Sequence, residues 1–135
     1  MNTEQIGKEK TSAASPVRLK TVLVVDDDFR FRALIAAILC PAGYRVDEAE
    51  DGMDAVMHAH RHQIDLLITD LVMPNAEGIE TIRYFSKHFP AMPVVAVSGR
   101  RSYLQPAKAL GAVATIEKTS VVEHLLGVVR RAIGE

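Results

Sequence analysis

The chain has 135 residues, of which 48% are hydrophobic and 24% charged, a composition typical of one globular domain. Sixteen basic and seventeen acidic residues give a net charge of −1, which excludes the strongly basic surface that binds nucleic acid. The single cysteine, Cys40, excludes an internal disulfide, and we expect it to be a small core residue. No apolar run approaches the roughly 18 residues of a membrane span, so we expect a soluble cytoplasmic protein.

Residues 1–20 are polar and without periodicity, which predicts a flexible tail in front of a domain at residues 21–135. From residue 21 onward, short apolar runs alternate with helical patterns. The predicted strands lie at residues 21–26, 44–49, 65–69, 93–97 and 112–116.

The first predicted helix follows the first strand and ends at Pro41 and Gly43. Three further helices are predicted at 52–62, 77–89 and 101–110. The last helix carries an apolar stripe that we expect to face the core, made of Val122, Leu125, Leu126, Val129 and Ile133. Val121 and Val128 widen this stripe, which indicates either burial against the sheet or a partner surface.

Five strands that alternate with five helices predict an α/β fold with a parallel sheet covered on both faces. The second strand carries Arg45, Asp47 and Glu48, so we expect it at an edge of the sheet. Because crossover connections are right-handed, few arrangements remain. The flavodoxin-like strand order 2-1-3-4-5 is the expected one.

Polar side chains stand where each of the other four predicted strands ends. The first strand runs into three aspartates at 26–28, and the others end at Asp70, Ser98 and Lys118. In sheets of this kind, ligands bind beyond the carboxyl ends of the strands. These residues are therefore expected to form one site.

The chemistry of this set points to phosphoryl transfer assisted by a hard cation. Asp26, Asp27 and Asp70 offer the oxygen ligands that Mg²⁺ prefers. An aspartate carboxylate can also attack phosphorus and form an acyl phosphate. Lys118 and Ser98 are placed to neutralise and hydrogen-bond the phosphoryl oxygens.

The segments LVVDDD, LLITDLVMPNAEG, VVAVSG and GAVATIEK resemble the receiver domain of bacterial two-component response regulators. The resemblance covers residues 21 to about 133. Within TDLVMPNAEG, a methionine and a proline follow Asp70 at three and four residues, and Gly78 follows it at eight, as in the family pattern. The resemblance implies that Asp70 is the phosphoacceptor.

The resemblance also implies roles for the other residues of the site. Ser98 would turn toward the phosphoryl group, and Lys118 would be the lysine typical of the family. The implied ligands of Mg²⁺ are Asp26, Asp27, Asp70 and the main-chain carbonyl of Val72.

A receiver domain accepts its phosphoryl group from a sensor histidine kinase, a histidine phosphotransfer protein or a small phosphodonor. It catalyses only its own phosphorylation and dephosphorylation. Phosphorylation shifts the population of a surface built from the fourth helix, fifth strand and fifth helix, which binds a downstream protein. The chain resembles the stand-alone receivers of chemotaxis and phosphorelay systems, and we expect a monomer or a weak homodimer.

Three residues depart from the family pattern. Thr119 replaces the usual proline after the lysine, which predicts a trans Lys118–Thr119 bond and a shifted fifth loop. Thr115 stands where a switching tyrosine or phenylalanine is common. Arg100, two residues after Ser98, is expected to alter the lifetime of the phosphoryl group.

Three alternatives remain open. A degenerate receiver would act as a scaffold without phosphorylation. An aspartate-based phosphatase would use Asp26 as the nucleophile and Asp28 as the general acid and base, although Phe29 does not fit that motif. Asp28 can equally cap the first helix. His58 and His62, one turn apart, indicate either a polar helix face or two ligands of zinc or nickel.

Overall fold

The computed structural model describes residues 18–71 and 77–135, so the predicted tail lies almost entirely outside the described residues. The strands are β1 Thr21–Val25, β2 Arg45–Ala49, β3 Leu66–Asp70, β4 Val94–Ser98 and β5 Ala114–Glu117. The helices are α1 Phe29–Leu39, α2 Gly52–Arg61, α3 Glu77–His88, α4 Leu104–Ala109 and α5 Val121–Ile133. Each predicted strand overlaps an observed one, with ends that differ by at most two residues. Within the described ranges, no helix is long and apolar enough to cross a bilayer.

The five strands form one parallel sheet in the order β2-β1-β3-β4-β5, which confirms the predicted flavodoxin-like fold. Successive side chains of a strand point to opposite faces. Thus Leu23 and Val25 of β1 pack in a core that includes residues of α2, α3 and α4, while Val22 and Val24 pack in one formed with α1 and α5. β1, β3 and β4 are buried along their whole length, whereas β2 is the predicted polar edge strand.

The start of α1 settles the role of Asp28. Its carboxylate accepts a hydrogen bond of 2.9 Å from the N–H of Arg30, and its backbone has extended dihedral angles. This is the geometry of a helix N-cap, which satisfies a backbone donor that would otherwise lack an intrahelical partner. The cap interpretation of Asp28 is confirmed.

Two packing predictions were wrong. Val122 was expected to face the core, but it is 71% exposed, and the buried stripe of α5 is Val121, Leu125 and Val129. A short 3₁₀ turn at Lys118–Ser120 leads directly into α5 and rotates Val121 toward the sheet. The other members of the predicted stripe, Leu125, Leu126, Val129 and Ile133, pack against the core, so the error is confined to Val122 in the first turn of the helix.

Cys40 is exposed, and not the core residue that the sequence suggested. It begins a 3₁₀ turn that contains Pro41 and ends at Gly43, whose φ of 99° lies in the left-handed region. This turn directs Cys40 outward, while Leu39 and Tyr44 on either side of it are buried. The turn that ends the helix thus interrupts its buried face.

At the opposite end of the sheet, Asp65 ties the chain entering β1 to the start of β3. Its carboxylate accepts hydrogen bonds of 2.8 Å from the Arg18 guanidinium and from the N–H of Thr21. Partial burial opposes ionisation, but these two donors outweigh burial and hold the pKa of Asp65 below its ordinary value. Asp65 therefore stabilises the fold in its charged form.

We expect Asp65→Asn to lower the free energy of unfolding at neutral pH by roughly 1–2 kcal/mol, the scale of hydrogen bonds to a partly screened carboxylate. Because the folded-state pKa is depressed, the stabilisation is complete above the unfolded-state pKa of about 3.8 and is lost as pH falls through the folded-state value. Thermal unfolding between pH 7 and pH 3 measures this, with exposed Glu50→Gln as the control. A pH-independent difference between variant and parent would contradict the role of the charge.

Candidate functional site

Three carboxylates meet at the carboxyl ends of β1 and β3. Val25 is paired with Thr69 across the two strands, so the next residues along the chain, Asp26 and Asp70, are neighbours at the edge of the sheet. Asp26 and Asp70 are 0% and 3% exposed, while Asp27 is exposed. One oxygen from each of the three lies within 4.8 Å of the others, the only such group of three potential metal ligands among the described residues.

Asp26 is held in place by several donors. Its Oδ1 accepts a 2.8 Å hydrogen bond from the N–H of Asp28, and the guanidinium of Arg32 donates to its main-chain carbonyl at 2.6 Å. Arg32 also donates to Glu48 at 2.8 Å and so ties α1 to β2. Burial raises the pKa of Asp26, and the Asp28 N–H and the Lys118 ammonium offset part of that effect.

Lys118 follows β5 and reaches into the carboxylate group. Its Nζ lies 3.0 Å from Oδ2 of Asp70, to which it donates a hydrogen bond, and 3.0 Å from Oδ2 of Asp26. The contact with Asp26 is an ion pair without hydrogen-bond alignment. Burial lowers the pKa of the lysine, but the two carboxylates outweigh burial and raise it, so Lys118 is charged at neutral pH.

These residues fit a divalent cation. Two carboxylates less than 5 Å apart repel by roughly 3–4 kcal/mol at an effective dielectric constant of 20, and one ammonium cannot neutralise three of them. Oδ2 of Asp26 is buried without an aligned donor, so it has capacity for another positive partner. A set of oxygen ligands that is open on the Asp27 side suits Mg²⁺, which keeps several waters.

A glycine allows α3 to begin beside this group. A Cβ atom on Gly78 would lie 2.5 Å from the carbonyl oxygen of Asp70 and 2.7 Å from Cα of Leu71. Real Cβ atoms essentially never approach backbone atoms so closely. The glycine eight residues after Asp70 is therefore a requirement of helix packing against the end of β3.

Three of the predicted tuning residues, Ser98, Arg100 and Thr119, lie at the same edge of the sheet, whereas Thr115 lies within β5, paired with Ala96. Ser98 ends β4 and is buried, and its hydroxyl accepts a 2.9 Å hydrogen bond from the N–H of Arg100. Thr115 is half-buried on β5, and Thr119 is exposed within the 3₁₀ turn after it. The Lys118–Thr119 bond is trans, as predicted. The remaining predicted ligand, the carbonyl of Val72, lies outside the described residues.

Two residues of the site had no assigned role in the sequence interpretation. The ring centroid of Phe31 lies 4.5 Å from Nζ of Lys118, and Arg32 holds the Asp26 carbonyl. The only available signal was their position one helical turn after the aspartate run. That spacing places them on the first turns of α1 but does not show which side chain turns toward the site.

His58 lies on α2, and His62 is the residue that caps the C-terminus of this helix. The ring centroids of His58 and His62 are 6.0 Å apart, and Nε2 of His58 lies 3.6 Å from a carboxylate oxygen of Asp54 one turn earlier. In the part of the chain that the structure describes, no third ligand joins the two histidines within 4.8 Å.

The model of the response regulator receiver domain family matches residues 22–130. Among curated proteins, the chain is 30% identical over 125 residues to the transcriptional regulatory protein PdtaR of Mycobacterium tuberculosis, covering 91% of this chain and 61% of that protein. The chain spans 8–61% of the length of the curated relatives that it matches first.

Solved structures show the same fold. The chemotaxis protein CheY4 of Vibrio cholerae has a TM-score of 0.77 and 28% identity, covering 85% of this chain and 99% of that one. The response regulator TrrA of Thermotoga maritima, solved in complex with Mg²⁺ and BeF, has a TM-score of 0.78 and 26% identity, covering 84% and 99%.

We expect Lys118→Met to destabilise the metal-free protein by about 1–3 kcal/mol, because it leaves Asp26 buried without its cation. The value lies below the roughly 3–5 kcal/mol of a fully buried pair, since Lys118 is 30% exposed. Adding Asp26→Asn to Lys118→Met should restore much of the lost free energy of unfolding. Denaturant unfolding measures the parent and these two variants, with exposed Lys87→Met as the control. A double variant no more stable than Lys118→Met would show that the charge on Asp26 is not the cause.

Proposed function

We propose that this chain, which belongs to the family of response regulator receiver domains, accepts a phosphoryl group on Asp70 in a Mg²⁺-dependent reaction. The observation that carries the proposal is the convergence of Asp26, Asp27 and Asp70 at one sheet edge, with the Lys118 ammonium 3.0 Å from two of them. Buried carboxylates held around a cation are costly in a domain that does not use them.

In the proposed reaction, a carboxylate oxygen of Asp70 attacks the phosphorus of the donor. The bond from phosphorus to the leaving atom breaks, and the leaving group departs with the electron pair. The donor is the phosphohistidine of a sensor kinase or phosphotransfer protein, or a small acyl phosphate. The product is an acyl phosphate on Asp70.

Three carboxylates of this chain would hold the metal, namely those of Asp26, Asp27 and Asp70. When bound, Mg²⁺ supplies positive charge to the phosphoryl oxygens. Lys118 supplies a second positive charge from the β5 side. Ser98 is the proposed hydroxyl donor, since the bond that its oxygen accepts from the N–H of Arg100 does not use its own O–H. The complex of TrrA with Mg²⁺ and BeF supports this assignment, because that protein shares the fold over almost its whole length.

The proposed output is a change in protein binding at the α4–β5–α5 face. This face carries exposed apolar side chains that contribute little to the core: Tyr103 before α4, Val113 before β5 and Val122 on α5. Since Thr115 replaces the aromatic residue common in the family, we infer that the change travels through backbone and packing shifts rather than through an aromatic rotamer. The downstream partner is a protein that binds this face.

The arrangement disfavours the phosphatase alternative. That reaction needs the second aspartate of Asp26-x-Asp28 beside the nucleophile as a general acid. Asp28 instead caps α1 and lies 3.7 Å from the guanidinium of Arg30. The scaffold alternative makes no use of the buried charges, and the following experiment separates it from phosphoryl acceptance.

We expect incubation with acetyl phosphate and Mg²⁺ to add one phosphoryl group to the intact protein, measured by mass spectrometry. The adduct should require Mg²⁺, disappear in Asp70→Asn and be cleaved by hydroxylamine, as an acyl phosphate is. Asp28→Asn is the matched control, because asparagine caps a helix as well as aspartate and the adduct should persist. An adduct that survives in Asp70→Asn would contradict the proposed acceptor.

The same sample tests the predicted role of Arg100 through the decay of the adduct. Arg100→Ala should change the lifetime if the guanidinium approaches the phosphoryl group, and an unchanged lifetime would remove that role. If neither acetyl phosphate nor a histidine kinase phosphorylates the parent protein, the scaffold alternative is favoured.

We expect Asp27→Asn to raise the melting temperature in metal-free buffer, because it removes repulsion with Asp26 and Asp70. The gain should be about 1 kcal/mol or less, since Asp27 is exposed and its charge is screened. In the parent protein, Mg²⁺ should raise the melting temperature, and the variant should lose this response. Differential scanning calorimetry with and without Mg²⁺ measures both effects; a lower metal-free melting temperature would show that Asp27 has a structural role.

A further inference from the structure

The Lys118 ammonium lies over the face of an aromatic ring as well as beside two carboxylates. The ring centroid of Phe31 is 4.5 Å from Nζ, within the roughly 6 Å at which a cation is attracted to the negative face of a ring. The ring is half-buried and the lysine is 30% exposed. Partial exclusion of water strengthens such an attraction.

The start of α1 fixes the position of this ring. The N–H of Phe31 donates to the carbonyl of Asp28, the residue whose side chain caps the helix, at 3.1 Å. The Phe31 side chain also packs against the core cluster that includes Leu125 of α5 and Ile116 of β5. The ring therefore belongs to a rigid element, whereas Lys118 has a long flexible stem on a short turn.

The ring and the carboxylates act on the ammonium differently. A lysine ammonium has three N–H donors and accepts none. Asp26 and Asp70 offer oxygen acceptors to these donors, while the ring attracts the positive charge without a lone pair. The ring thus confines the ammonium to the site and leaves its donors to oxygen atoms. An aliphatic side chain of similar volume would fill the space without holding the charge.

We propose that Phe31 is a positioning residue, whose ring face holds the Lys118 ammonium at Asp70 and thereby raises the rate of phosphoryl transfer. The effect on the rate rests on the proposed function, whereas the position of the ammonium does not rest on it. The phosphorylation rate and the position of the ammonium are therefore measured in separate experiments.

Stepwise fluorination of the Phe31 ring tests the effect on the rate. Site-specific incorporation of 4-fluoro-, 3,5-difluoro- and 3,4,5-trifluorophenylalanine weakens the negative face of the ring while almost preserving its shape. The logarithm of the rate of phosphorylation by acetyl phosphate should fall with each added fluorine. Across the series we expect the phosphorylation rate to fall by about 2- to 30-fold. This range is the rate ratio that corresponds to the free energies typical of cation–π interactions.

Matched controls separate positioning from packing. The same fluorinated residues at Phe29, which lies on the same helix and is 66% exposed, should leave the rate unchanged. The melting temperatures of the Phe31 series should stay close to that of the parent, because the packed volume is nearly the same. Rates that are equal across the Phe31 series in a protein that accepts phosphate would overturn the proposal and leave Phe31 as a core residue.

Proton NMR tests the position of the ammonium without any phosphoryl chemistry. The ε-methylene protons of Lys118 should be shifted upfield by the ring current of Phe31, and the shift should vanish in Phe31→Leu. If the parent protein accepts no phosphate, the proposed function fails, and this spectrum still decides the positioning. Ordinary ε-methylene shifts in the parent protein would overturn it.

Discussion

The contact of one ammonium with two buried carboxylates governs the structure of this site. Asp26 is fully buried and therefore needs a positive partner, because an isolated buried carboxylate is far less stable than a hydrated one. Lys118 supplies that partner to Asp26 and Asp70 together, at 3.0 Å from each. It leaves net negative charge at the sheet edge, and that charge attracts a divalent cation.

The order of the strands explains why a lysine performs this role. β1 and β3 are adjacent, so Asp26 and Asp70 meet directly, but β5 is separated from β3 by β4. Two strand spacings amount to about 9.5 Å. A side chain that starts after β5 and reaches Asp70 must be long and flexible, and the four-carbon stem of Lys118 meets that need. The parallel fold thus determines both which residues meet and how long the bridging side chain must be.

The sequence was sufficient for those parts of the fold and site that follow from strand ends. Parallel strands bring their carboxyl ends to one edge, so Asp26, Asp70, Ser98 and Lys118 could be placed there before any coordinates. The first turn of α5 was harder to predict, because Val121 and Val122 are adjacent and apolar, and either one continues the stripe of Leu125 and Val129. The 3₁₀ turn before α5 decided for Val121 over Val122, and tertiary context of this kind cannot be read from periodicity.

The same limit explains why the helix cap at Asp28 could be predicted, whereas the contributions of Phe31 and Arg32 to the site were not. The first turns of α1 cap the helix through Asp28, place the Phe31 ring against Lys118 and direct Arg32 to the Asp26 carbonyl. Each of these residues has an ordinary role on a helix, as a cap, an apolar side chain or a surface cation. They act on the site because Ile35 and Leu39 pack in the core with β1 and so set which face of α1 lies against the sheet. The three consecutive aspartates are therefore divided between two tasks: Asp26 and Asp27 contribute to the carboxylate cluster, and Asp28 caps the helix that carries Phe31 and Arg32.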